Sequence, residues 1–171
     1  ELNFEIHWSG GDANWQEVEK VINELIILAE KGIGIKASSL CMLSMANTFQ
    51  GKYKKAHHYL ESAKQVIVDY PSFPGSIDIS ICTAQLAAAE GHWQVSFTVF
   101  NDLVETFLQK GYRWAHAHTL CDWGDALVSR RESDDFESAR VLYHQAQEIY
   151  NDLEATWYQQ QVEKRLSRIT P

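Results

Sequence analysis

Gly51-Lys52-Tyr53-Lys54-Lys55-Ala56-His57-His58-Tyr59-Leu60-Glu61-Ser62-Ala63 is the stretch that decides the fold. Its skeleton is an aromatic residue, Tyr53, a small one three later, Ala56, a large apolar one four after that, Leu60, and an apolar one three further on, Ala63. Steps of three and four keep such residues on one face of a helix. The same skeleton is spelled at Trp15, Val18, Ile22 and Leu25, at Trp93, Ser96, Phe100 and Leu103, and at Phe136, Ala139, Tyr143 and Ala146. The leading aromatics lie 38, 40 and 43 positions apart, a periodicity that identifies an array of helical repeats.

Composition narrows what such an array does. At 171 residues and 45% hydrophobic content, the chain has enough apolar material for four to five stacked units around a continuous core. Fifteen Lys and Arg against twenty-three Asp and Glu give a net charge of −8, and no basic cluster is present to neutralise a phosphate backbone. Nucleic acid is therefore not an expected partner. Apolar runs such as Leu25 to Ala29 fall far short of the ~20 residues a bilayer crossing needs, so no membrane contact is expected. Three cysteines inside apolar helical patterns read as small buried hydrophobes in a reducing, cytoplasmic compartment. The opening Glu-Leu-Asn-Phe has neither Met nor signal-peptide layout and reads as the start of an excised piece of a larger protein.

In chain order, Leu2, Phe4, Ile6 and Trp8 read as the tail of a truncated first helix that Gly10 and Gly11 end. Asn14 with Glu17 forms a capping box for a helix that Gly32 and Gly34 stop. Helices over Lys36–Phe49 and Tyr53–Asp69 follow, closed by Pro71, Pro74 and Gly75, and then helices over Ile77–Glu90 and Trp93–Gln109. Gly111 opens a fourth unit. There Arg131 stands where earlier units have glycine, Glu132 to Asp134 are a small turn insertion, and Asp134 with Glu137 caps the next helix to Tyr150. Asn151 with Glu154 starts a last helix, apolar along Ala155, Tyr158, Val162, Leu166 and Ile169, with Lys164, Arg165 and Arg168 suited to the helix dipole. Its other face is polar, as the open end of a solenoid requires.

The expected fold is all-α: a stack of about four helix pairs, the first incomplete, plus a C-terminal capping helix. The expected domain is single, 1–171, with repeats at about 1–32, 36–70, 76–110 and 113–150 and the capping helix at 152–169.

Leu120, Trp123-Gly124 and Leu127 in one helix, with Phe136, Ala139, Tyr143 and Ala146 in the next, resemble the tetratricopeptide repeat, which carries bulky, Leu-Gly, aromatic and Ala positions in this order. Gly51, Tyr53, Ala56, Leu60, Ala63 and Pro71 are similar to its second half, whereas Ser96, Ser80 and Thr83 depart from it. Periods near 40 resemble the longer-helix variety found in regulatory regions of bacterial signal-transduction ATPases and transcriptional activators. The resemblance implies that the stack is a right-handed α-α superhelix whose groove binds a peptide, a partner domain or a small effector, and no catalysis by the module. Position by position, it implies groove-facing Ser38, Cys41, Met45 and Thr48, then Asp78, Ile81, Gln85 and Ala88, then His118, Cys121, Asp125 and Val128.

Chemistry-bearing clusters are weak by comparison. His116 and His118, two apart on a helix, point about 200° from one another, so with Cys121 they make no metal site. No cysteine has the base that a nucleophile needs, no phosphate loop is present, and carboxylate pairs such as Asp134 with Asp135 read as exposed turn residues. Trp15, Trp93 and Trp123 fall on core positions, and Trp8, Trp114 and Trp157 at repeat ends are freer to meet a partner. The expected function is a non-enzymatic protein-interaction and regulatory scaffold, without cofactor or metal, in a bacterial signalling or transcription-control protein. The alternatives are a small-effector sensor and a self-association module.

Overall fold

At the five described junctions, successive helices are joined by a residue with positive φ. In the computed structural model, which describes residues 15–28, 33–68 and 76–169, Gly51 takes φ +69°. Its N–H donates to Thr48 O at 3.0 Å, and the next N–H, of Lys52, reaches Asn47 O at 2.8 Å. That pair of bonds satisfies carbonyls the ending helix leaves open. Gly111, φ +69°, repeats the pattern with Leu108 and Phe107. Arg131, φ +61°, and Glu154, φ +55°, do the same work without glycine, Glu154 with both bonds and Arg131 with one, to Leu127 O.

Among the described residues there are eight helices and no strand: α1 (Trp15–Leu28), α2 (Ile33–Phe49), α3 (Tyr53–Val68), α4 (Ser76–Ala89), α5 (Trp93–Lys110), α6 (Arg113–Arg130), α7 (Asp135–Asp152) and α8 (Thr156–Ile169). The chain is an all-α helical repeat, as expected, and within each compact unit the helices pack on their neighbours in sequence order. It divides into two compact units, Glu1–Glu90 and Gly91–Pro171. The division falls inside the expected third pair, 76–110, and assigns its two helices to different units, which the single-domain reading did not contain.

In the first unit α2 packs on α1, α3 and α4. Ala56 and Ala63, both fully buried, let α3 approach α2 closely, and the Ser44 hydroxyl donates to Ala56 O across that seam at 2.9 Å. Leu40, Cys41, Leu60, Cys82 and Leu86 complete one apolar cluster drawn from α2, α3 and α4. Burying such side chains contributes about 1.5 to 3 kcal/mol each. Two contacts relate α2 to α4: Ser38 to Asp78, 40 positions apart, and Cys41 to Cys82, 41 apart. A near-constant offset means that the two helices run parallel, one repeat apart.

In the second unit α6 lies between α5 and α7. The Tyr143 hydroxyl meets Asp125 and the Tyr150 hydroxyl meets His118, so seven residues forward on α7 is seven back on α6, and the pair is antiparallel. Ala139, Tyr143, Ala146 and Tyr150 line the buried face of α7 in steps of four, three and four. Phe100 stacks on Trp123 at 6.5 Å, and Phe107, about two turns further along α5, is buried and meets Tyr112 at 6.3 Å. Asp125 to Arg165, 40 positions, sets α8 one repeat beyond α6.

Several local expectations are corrected. Gly34 lies within α2 instead of ending a helix, and α8 begins at Thr156 because α7 runs on to Asp152 before Glu154 turns the chain. Asp134 is the N-cap of α7 but makes no side-chain cap bond, since at φ −102°, ψ 0° it lies outside the extended region a capping side chain favours. Its neighbour Asp135, read as an exposed turn carboxylate, is 2% exposed and accepts from Glu132 N and Arg130. With Asp135 turned inward, Phe136 one step on points outward and is 39% exposed, although the repeat pattern placed it in the core. The expectations at Leu2, Phe4, Ile6, Trp8, Gly10, Gly11, Asn14, Gly32, Asp69, Pro71, Pro74 and Gly75, and for the side chains of Trp15 and Leu25, lie outside the described residues.

Candidate binding surface

The residues expected to face a groove are distributed between the units. In α2 and α4, Ser38 donates to Asp78 at 2.6 Å, and the Cys41 carbonyl accepts from the Cys82 thiol at 3.3 Å. Thr48 is buried and its hydroxyl turns back to Ser44 O, while Met45 is half-buried against the apolar cluster. Ile81, Gln85 and Ala88 follow Asp78 on one face of α4 and are half-buried. The structure thus brings together Ser38 with Asp78 and Cys41 with α4, and uses them as contacts between repeats.

In the second unit His118, Cys121, Asp125 and Val128 lie on the face of α6 turned to α7 and α8. His118 Nδ1 pairs with the Tyr150 hydroxyl at 3.0 Å. Asp125 receives the Tyr143 hydroxyl at 2.7 Å and both ends of the Arg165 guanidinium at 2.9 to 3.1 Å. Arg165, read in the sequence as a cation suited to the helix dipole, is 11% exposed. Burial acts to discharge its guanidinium, but the Asp125 carboxylate outweighs it and the charge is held more firmly than usual. Burial pushes the Cys121 thiol and the Tyr143 and Tyr150 hydroxyls well up, so all three stay protonated. A thiol so held is no nucleophile, and the Tyr143 hydroxyl is the donor to Asp125.

Around His118 the rings form a continuous cluster. Trp114 meets Tyr158 edge-on at 4.6 Å, Trp157 meets Tyr158 at 4.7 Å, His118 lies 5.1 Å from Tyr158, and Tyr150 stacks on Tyr158 at 5.3 Å. Trp114 is 38% exposed and Trp157 39%, so the cluster reaches the surface through the two tryptophans singled out in the sequence as freer. Leu153, in the turn before α8, and Tyr112, just before α6, are also exposed at this end of the unit. Arg113 and Asp152 bridge α6 to α7 beside it at 2.6 Å. Partly exposed aromatics next to an Arg are the composition that anchors protein partners.

Tyr150, Tyr158 and Arg165 were not recognised as site residues. The missed signal was charge: Asp125 and Arg165 are opposite in sign and one repeat length apart, on helices that stack. Among the described residues, no group of three His, Cys, Asp or Glu side chains stands close enough to hold a metal, and no helix is long and apolar enough to cross a membrane. Comparison with protein-family models, with curated proteins and with solved structures finds no match for this chain.

Proposed function

We propose that this chain is a tetratricopeptide-like interaction and regulatory scaffold, without catalysis of its own, serving a bacterial signalling or transcription-control protein. One observation carries the reading: first helices stack with an offset of about one repeat in both units, Ser38 on Asp78 and Asp125 on Arg165. Stacking of this kind leaves side chains of successive helices side by side along an extended surface, on which a peptide or a domain is read by several repeats at once. The groups with chemical potential support it, since His118, Asp125 and Tyr143 are engaged in holding helices together. The partner is a protein, either a peptide or another domain of the same parent.

The test is a binding titration of the purified chain against the flanking regions of its full-length parent. Saturable binding that weakens at least tenfold in Trp114→Ala with Trp157→Ala supports the proposal. No binding by any flanking region, or binding indifferent to both substitutions, refutes it.

A further inference from the structure

Two of the three thiols belong to one cluster. Cys41 on α2 and Cys82 on α4 are each 2% exposed and share the same apolar core, and neither is in a disulfide. The Cys82 sulfur lies 3.3 Å from the main-chain oxygen of Cys41 itself, beside the backbone from which the Cys41 side chain springs. Parallel stacking at a near one-repeat offset produces this meeting, because Ser38 and Asp78 fix the register one turn earlier. Sulfur so close to the facing helix also means that no bulky side chain separates the two backbones there.

We propose that Cys41 and Cys82 are an oxidisable dithiol whose disulfide ties α2 to α4 and locks the first unit's stacking. The oxidant is a peroxide. One thiol, ionised when the seam opens, attacks the peroxide, the O–O bond breaks, and the sulfur becomes a sulfenic acid as one water leaves. The second thiol attacks that sulfur, the S–O bond breaks, and a second water carries away the oxygen. Two thiols lose two protons and two electrons in all, and one hydrogen peroxide becomes two waters. The burial that protects the pair makes the reaction report on opening of the α2–α4 seam. Cys121, also buried and in the second unit, provides an internal control.

The experiment treats the full chain with excess hydrogen peroxide, alkylates remaining thiols under denaturing conditions and maps tryptic peptides. Before alkylation the expected product is a monomer lighter by two hydrogens, apart from oxygen added at Met42 or Met45; in its map fragment 37–52 is joined to fragment 65–110 and Cys121 is alkylated. A thiol reductant reverses it. Cys41→Ser and Cys82→Ser each abolish the link, and Cys121→Ser does not. The wild-type map stands alone should a serine variant fail to fold. A link through Cys121, a link only between molecules, or three alkylated thiols after conditions that fully oxidise glutathione would overturn the proposal.

Discussion

Gly124→Ala is the sharpest test of how the second unit is packed. A Cβ placed on Gly124 sits 2.5 Å from Tyr143 Cε1, 2.9 Å from Cζ and 3.0 Å from Cδ1, all well inside van der Waals contact. The struck ring is 1% exposed, and its hydroxyl is anchored to Asp125, which Arg165 grips in turn. The ring therefore cannot swing aside without breaking that network. Overpacking of this kind costs about 1 to 3 kcal/mol. Alanine offsets about 0.5 to 1 kcal/mol of it, because glycine is the poorer helix former. The net expectation is a loss of about 0 to 2.5 kcal/mol, centred near 1. Urea unfolding followed by far-UV circular dichroism and tryptophan fluorescence measures it, the two probes being fitted separately because the chain has two units. Tyr143→Leu removes the obstructing ring, so the pair should compensate by about 1 kcal/mol in a double-mutant cycle. A clearly stabilising Gly124→Ala, or strict additivity with Tyr143→Leu, would show that α6 and α7 do not meet at this point.

Other expectations follow from the same contacts. Arg131→Gly should stabilise by about 0.5 to 1 kcal/mol in the same urea assay, since Arg131 holds φ +61°, where a side chain is strained and glycine is not. Asp125→Asn should cost about 2 to 3 kcal/mol, less than a fully buried pair because Asp125 is 45% exposed, and more than Arg165→Met, which leaves behind only a carboxylate that water can reach. Phe100→Ala should cost about 3 to 5 kcal/mol, whereas Val95→Ala on the exposed side of the same helix should stay within about 0.5; the reverse ranking in thermal unfolding would mean α5 faces the other way. The Arg130 hydrogen bond holds the Asp135 carboxyl below its usual range, so the folded state binds that proton more weakly than the unfolded chain. The associated stability is intact above about pH 4 and drains away as pH falls further, and Asp135→Asn should flatten this acid slope in urea midpoints.

The fold was legible because two independent codes agree. Apolar residues at steps of three and four specify helices, and the 40-residue recurrence specifies that those helices stack. Glycine marked the turn at Gly51, and reading Arg131 as its substitute was correct, since the repeat pattern fixed where a left-handed residue had to stand. The turn at Glu154 lacks glycine altogether, so the sequence reads a helix over 152–169 where α8 runs Thr156–Ile169. Asp135 was misread because a carboxylate beside a turn looks solvated unless its partner is known. Arg130 lies five positions earlier across the turn, a spacing that carries no helical signal.

Side-chain roles were less legible than helix positions, for a physical reason. In a stack of helices, a residue on the face turned to the next repeat has two fates, a contact within the stack or exposure along the surface. Periodicity places a residue on that face and does not separate the two. Size and charge of the residue one repeat later separate them: Asp125 is taken up because Arg165 stands 40 positions on, and Ser38 because Asp78 does. Trp114 and Trp157 remain partly exposed because each meets the shared ring of Tyr158 by an edge, leaving part of an indole uncovered. The polar residues of the expected groove therefore mainly hold the repeats in register, and the proposed recognition role passes to the aromatic end of the second unit, where large apolar area is still available to bury.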